Sequence, residues 1–297
     1  MIIKREDYID KIQPFVNKHI IKVLIGARRS GKSTILKQIM DSLMDDGIPK
    51  ENILMLNFEL SDYFEIDSIE KLEEHICDKT ENVEGRIYLF FDEIQVVPQW
   101  EKLINSYFAK ERYDIYITGS NSKLLSGEFA TYLSGRYVKL NIYPFSFREY
   151  LEYHEITDDF KTHFNRYLQD GGMPSTLDYQ GDNKRLIMMD LYNSIVLKDI
   201  IQRNNVHNVD LLDRILRFVM YNIGQPFSAS KIHKRLKQDM QNVSVNTIYN
   251  YLKFFENACL IYQARREDLK GKKILKYEEK YYLCDLGFRQ AIIGNNQ

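Results

Sequence analysis

Residues 26–33 read Gly-Ala-Arg-Arg-Ser-Gly-Lys-Ser, and the apolar run 20–27, IIKVLIGA, leads into them. A short apolar run that closes on glycine reads as a buried strand. Residues 32–44 then set Ile35, Leu36, Ile39, Met40 and Leu43 at helical spacing. A strand buried on both faces needs parallel neighbours and a cover of helices, so strand, glycine-flanked loop and helix together point to an open α/β sheet. Four more short apolar runs fit as its other strands: 53–60, 86–91, 114–118 and 137–142. Helical patterns at 68–79, with Ser68 as N-cap, and at 100–110 fall between them. The expected first half is therefore a five-stranded parallel sheet with helices on both faces.

The loop fits the pattern GxxxxGK[ST]. Glycine at its ends lets the backbone wrap a phosphate without a Cβ in the way, and the helix N-terminus adds positive potential. The expected ATP-binding residues are Gly26, Ala27, Arg28, Arg29, Ser30, Gly31, Lys32, Ser33 and Thr34. In such loops the lysine reaches the β- and γ-phosphates and the hydroxyl after it ligates Mg²⁺. Those roles fall to Lys32 and Ser33. Arg28 and Arg29 stay open between phosphate, DNA, a neighbouring subunit and a plain ion pair. Residues 89–93, LFFDE, deliver two acids at the end of an apolar strand, where open α/β sheets bind ligands. Asp92 is the expected second Mg²⁺ ligand and Glu93 the base that polarises an attacking water. Without the loop, the pair would read as solvated acids ending a strand. The fourth strand ends Ile117-Thr118-Gly119-Ser120-Asn121, and Thr118, Ser120 or Asn121 can reach between the two motif strands to the γ-phosphate or the water. Arg136, in Leu133-Ser134-Gly135-Arg136-Tyr137, is the candidate arginine finger, with a structural ion pair as the alternative.

From about residue 144 the strands largely stop. Residues 146–153, 159–169, 184–202 and 211–222 read as helices, and Gly171-Gly172-Met173-Pro174 breaks the series. Residues 226–261 then have a helix-turn-helix shape: a helix at 230–236 and a second, capped by Ser244, at 245–257. The second turns Ile248, Leu252 and Phe255 inward and Asn246, Asn250 and Lys253 elsewhere. Residues 262–277 read as a hairpin around Gly271, carrying Arg265, Arg266, Lys270, Lys272 and Lys273. Between Phe227 and Leu283 stand 12 Lys and Arg against 6 Asp and Glu, although the whole chain has a net charge of −1. A basic module suits an anionic partner, and these residues are candidate DNA contacts. Protein contact is the alternative.

Other classes lose support. No stretch approaches the ~20 apolar residues of a membrane span. The N-terminus lacks an apolar signal core. Cys77, Cys259 and Cys284 are scattered, with neither zinc nor disulfide spacing, which fits a reducing cytoplasm. His154-Glu155 lacks the second histidine of a metalloprotease helix.

The ordered set GARRSGKST, FFDEIQ, TGSNSKLLSGEFATYLSGRYVKL, PFSFREYL, GGMP, Lys198-Asp199-Ile200 and KYYLCDLG resembles the AAA-superfamily (AAA-plus) ATP-binding proteins of bacteria and archaea. It is nearest the subgroup that joins this ATPase to a winged helix and a restriction-endonuclease-like C-terminal region of unknown function. The resemblance implies ATPase roles for Lys32, Ser33, Asp92, Glu93 and Arg136. Such relatives continue past the equivalent of Gly287 for roughly another domain, so a shortened C-terminal region is expected here, with Asp285 a turn residue. The expected domains are 1–145, an AAA-type P-loop ATPase; 146–224, helical and lid-like; and 225–297, a winged helix. The expected function is Mg²⁺-dependent ATP hydrolysis in the cytoplasm, coupled to a winged helix that meets double-stranded DNA. A protein-interaction switch, or a homo-oligomer, that holds ATP with negligible turnover is the alternative. A small-molecule kinase fits less well, because Asp92-Glu93 suits hydrolysis.

Overall fold

The computed structural model describes residues 2–125, 128–238, 243–264 and 279–294. It divides into two compact units: Met1–Gly26 with Ser30–Ile142, and Ala27–Arg29 with Tyr143–Gln297.

In the first unit, β1 (Ile21–Ile25), β2 (Ile53–Asn57), β3 (Ile87–Asp92), β4 (Tyr113–Gly119) and β5 (Tyr137–Asn141) form one parallel sheet in the order β2-β3-β4-β1-β5. β1 and β3 are buried along their whole length, as apolar runs flanked on both edges must be. Alternate side chains point to opposite faces. Leu24, Tyr88, Phe90, Tyr116 and Leu140 meet α1 (Glu6–Ile12) and α2 (Lys32–Asp45) through Tyr8, Ile12, Ile35, Leu36 and Ile39. α3 (Ile69–Thr80) packs on α4 (Trp100–Ala109), which packs on β4, and α5 (Glu128–Leu133) follows α4 in contact with it. The five strands expected from the sequence are all present, although residues 58–60 lie in turns beyond β2.

The second unit is mostly helical: α6 (Phe147–Tyr153), α7 (Phe160–Asp170), α8 (Gly181–Ser194), α9 (Val209–Tyr221), α10 (Ala229–Gln238), α11 (Val245–Asn257) and α12 (Leu286–Ile293). A two-stranded antiparallel pair, β6 (Ile261–Ala264) with β7 (Lys280–Leu283), precedes α12. The expected helix 184–202 is only partly α. It continues from α8 as a π-helix over Ile195–Gln202, a widened turn that concentrates at functional positions. The expected boundary at 224/225 does not separate two cores. One cluster runs from Met173 and Met188 through Leu212, Ile215 and Leu216 of α9 to Ile248 and Phe255 of α11 and Phe288 of α12. Apolar faces of α8, α9, α11 and α12 that share one core cannot part without exposing it. Asp285 does more than occupy a turn. Its Oδ1 accepts the Gly287 N–H at 2.8 Å and caps α12, and its Oδ2 accepts the Gly172 N–H at 2.8 Å. The GGMP and DLG segments are thus one buried knot. Among the described residues no helix is long and apolar enough to cross a membrane.

Candidate functional site

The site is built at the C-terminal edge of the sheet, where β1 runs into the loop 26–31 and β3 ends at Asp92. Two glycines are required there. A Cβ on Gly26 would meet the Ile142 carbonyl oxygen at 2.2 Å, and Gly31 sits at φ +97°. The second conformation favours glycine, and it turns the chain into α2. Two residues that the sequence reading passed over hold this loop. Arg5, 2% exposed, donates from Nη1 to the Ser30 carbonyl at 3.0 Å, and Gln38 ties the Arg5 segment to α2 by accepting the Arg5 N–H at 3.1 Å. An arginine immediately before α1 carries no sequence signal for this role, because only the tertiary fold brings it to the loop.

Lys32, at the start of α2, is 5% exposed. Its Nζ donates to the Gly26 carbonyl at 3.1 Å and lies 3.5 Å from Glu93 Oε1. The ammonium is therefore folded back over the loop against its own acid. Glu93 is in the left-handed region at φ 57°, uncommon for a residue with a side chain. That turn brings its carboxylate back toward the loop, where Oε2 accepts from the Ser120 N–H at 3.3 Å and from the Gln95 side-chain amide. β4 lies between β1 and β3, as the sequence reading of Thr118-Gly119-Ser120-Asn121 required. Of those residues Thr118 makes the decisive contacts: its hydroxyl donates to Asp92 Oδ1 and accepts from the Glu93 N–H at 3.1 Å. Ser120 and Asn121 are buried beside it. Gln95, in the turn after Glu93, was missed as a site residue because an isolated glutamine in FFDEIQ carries no pattern.

Asp92 Oδ2, Ser30 Oγ and Ser120 Oγ are buried and have no hydrogen-bond partner among the described residues. A buried carboxylate oxygen without a partner is costly, and such atoms in a phosphate loop and on the facing strand end suit a bound cation and anion. The donor set fits the expected ligands. Ser33 and Asp92 would hold Mg²⁺, and Gly26, Ser30, Gly31, Lys32 and Thr34 would surround the phosphates.

Three expected residues stand elsewhere. Arg136 is at the opposite edge of the sheet. Its carbonyl accepts the Ile21 N–H at the start of β1, whereas the loop begins after Ile25. At about 3.3 Å per residue, the length of β1 puts Arg136 far out of reach of a phosphate on its own loop. Its Nη1 bonds Asn105 at 2.6 Å, and the guanidinium lies 5.7 Å from the Phe108 ring centre. A finger acting within the same chain is excluded by that geometry. Arg28 belongs to the second unit, where it grips Asp199 of the π-helix at 2.5 and 3.2 Å. Arg203 holds the same carboxylate at 3.4 Å. Among the alternatives left open for Arg28, the ion pair is the one observed. Arg29 is exposed in the left-handed region at φ 60°.

In the basic module, Asn246, Asn250 and Lys253 line the exposed face of α11, opposite the buried Ile248, Leu252 and Phe255. Arg265, Arg266, Lys270, Lys272 and Lys273 lie outside the described residues.

Comparison with known proteins gives the same picture. A family model described as an AAA domain matches residues 18–151, and a domain of unknown function matches 161–297. An uncharacterized protein of Haemophilus influenzae is 39% identical over 99% of this chain and 74% of its own length. An uncharacterized protein of Methanocaldococcus jannaschii is 30% identical over 89% of this chain, which spans 60% of that relative. Among solved structures, a Walker-type ATPase of Pyrococcus abyssi aligns over 98% of this chain and 95% of its own, with a TM-score of 0.65 at 15% identity, a likeness of fold.

Proposed function

The chain belongs to the AAA-superfamily P-loop family that includes the Haemophilus influenzae protein, and from that premise we propose that it binds Mg²⁺–ATP and hydrolyses it. The observation that carries the reading is the pairing of Lys32 with Glu93 beside the unpartnered Asp92 Oδ2. Lys32 holds its charge over the loop until phosphate oxygens replace the Gly26 carbonyl as its partner. Releasing the lysine frees Glu93, which Gln95 and the Ser120 N–H keep aimed, to take a proton from water. Thr118 fixes both acids through one hydroxyl. Bound Mg²⁺ supplies charge neutralisation between the β- and γ-phosphates. Glu93→Gln should cut steady-state phosphate release by about 10²-fold or more, while fluorescent-nucleotide titration shows ATP still bound. Normal release in this variant would remove Glu93 as the base.

Arg136 serves only a neighbouring copy in this proposal, because its own loop is out of range. Specific activity should then rise with protein concentration in the wild type and stay flat in Arg136→Ala. A concentration-independent wild-type rate would reject the assignment.

The nucleotide unit drives a second unit, the proposed lid (146–224) and winged helix (225–297), in the cytoplasm. The succession α10, α11 and β6–β7 supports the winged-helix reading, and the polar face of α11 favours double-stranded DNA over a protein surface as its partner. Replacing Arg265, Arg266 and Lys272 by Gln should lower the slope of log affinity against log salt by about three, read by fluorescence anisotropy. Affinity without salt dependence would return the module to protein contact.

A further inference from the structure

The second unit contains a pocket of about 160 Å³ between α6, α7, α8 and the turn before α8. Tyr150, His154, His163, Arg166, Asp170 and Lys184 face it. Lys184 is 6% exposed, and it makes no hydrogen bond or ion pair among the described residues. The Nδ1 of His163 is buried without a hydrogen-bond partner among the described residues. Tyr150 is 4% exposed, and its hydroxyl likewise has no partner among the described residues. Three polar groups thus converge on one small space without a hydrogen bond to one another or to its one acid, Asp170, among the described residues.

The surrounding charge does not answer them. Asp170 is already paired with Arg166 at 3.4 Å. Asp285, close enough to Lys184 to influence it, spends both oxygens on the backbone of Gly172 and Gly287. Asp178, the acid nearest His154, accepts the Tyr153 hydroxyl at 2.6 Å. Burial lowers the Lys184 pKa, opposed by Asp170 and Asp285 and reinforced by Arg166. Burial also lowers His154, assisted by Lys184, Arg166 and His163. Lys184, Arg166 and two imidazoles therefore face one opening, and the acid on its wall, Asp170, is already held by Arg166. An ammonium drawn into the fold with no direct ion pair among the described residues gives a ligand bearing more than one negative charge a place to bind.

We propose that this pocket binds a small phosphate monoester or free phosphate, with Lys184 and Arg166 on its oxygens and Tyr150 and His163 completing the hydrogen bonds. A tetrahedral dianion spreads its charge over three oxygens, which suits donors that arrive from three different helices. Lys184 and Asp170 also border a second space of about 320 Å³ against α12, which leaves room for the rest of an ester. The site is separate from the P-loop and does not depend on ATP turnover.

Inorganic phosphate is titrated calorimetrically into the full chain saturated with Mg²⁺–ADP. A saturable isotherm is expected, weakened about tenfold or more by Lys184→Met, weakened less by Arg166→Gln, and kept in Lys32→Ala. Arg166 is on the surface, so its variant tests the site even if Lys184→Met perturbs folding. A second reading comes from the imidazole resonances of His154 and His163, which should shift with phosphate in the wild type. Absence of saturable binding overturns the proposal. So does binding that Lys32→Ala abolishes while Lys184→Met and Arg166→Gln leave it intact, since that phosphate is in the P-loop.

Discussion

Each unit of this protein buries a lysine away from the phosphate loop, and the two are treated in opposite ways. Lys22 of β1 is fully enclosed, but Asp114 of β4 meets its ammonium directly, and the Tyr116 ring lies 4.9 Å from it. The Tyr116 hydroxyl and the Asn17 N–H donate to the other Asp114 oxygen, at 3.1 and 3.0 Å. Burial lowers the Lys22 pKa, and Asp114 opposes the drop. This lysine arrives with its counter-ion and serves the sheet. Lys184 has no direct ion pair among the described residues; Asp170 and Asp285 act on it only at longer range, beside Arg166. A buried charge that the fold has already satisfied is architecture, while one that it has left unsatisfied is a place for something else. The same distinction holds inside the nucleotide site, where Asp92 Oδ1 is claimed by Thr118 and Oδ2 is left over.

The contrast can be broken by experiment. Lys22→Ala should cost about 3–5 kcal/mol of the first unit's stability, because it strands Asp114 in the core; denaturant titration reads this, and a loss under 1 kcal/mol would make Lys22 as dispensable as a surface residue.

Asp285 gives a smaller effect of known sign. Burial outweighs its backbone donors, Gly287, Gly172 and Met173, and the charge of Lys184, and pushes its pKa up to about 6, from an ordinary 3.8. A carboxyl that holds its proton more tightly in the folded state than in the unfolded one favours folding at low pH. Its contribution is fully present below about pH 4 and is lost as pH rises through 6. The wild type should therefore lose stability across that window relative to Asp285→Asn. Asp285→Ala should cost about 2–3 kcal/mol at low pH, through two orphaned backbone N–H groups. Parallel pH curves for the wild type and Asp285→Asn would contradict the assignment.

The smallest effect is expected at Lys184. In phosphate-free buffer Lys184→Met should be neutral or raise the melting temperature, since it removes an unpaired charge and keeps the volume. A marked loss of stability would show that Lys184 resembles Lys22 after all.

The nucleotide unit was largely legible in its sequence. Strands buried on both edges are continuous apolar runs, and a phosphate loop must place glycine, lysine and a hydroxyl at fixed spacing, so β1, β3, Lys32, Ser33, Asp92 and Glu93 declare themselves locally. Thr118 was legible as one of three candidates at a strand end, and its hydroxyl is seen to join Asp92 and Glu93. Gln95 and Arg5 were not legible, because their partners are 2 and 25 residues away in the chain and no spacing rule connects them. Arg136 was legible as a cation near a strand, but not as one on the wrong edge for its own loop. In a parallel sheet the two ends of a strand are chemically unequal, and sequence pattern does not show which end a flanking residue shares with the site. In the second unit the helices were readable from their periodicity and the shared core was not. An amphipathic stripe says that a helix has a buried face, without saying which other helix covers it.

By itself, then, the sequence determined that a parallel sheet would carry a phosphate loop, and which residues would line it, since both depend on interactions within a few residues or on strict strand patterning. Tertiary structure decided which end of the sheet Arg136 occupies, that Asp285 closes the GGMP loop across 113 residues, and that Lys184 is buried with no direct ion pair among the described residues. Each of these is a matter of which charges and backbone donors meet after the chain has folded, and local pattern carries no information about a partner that lies elsewhere in the chain.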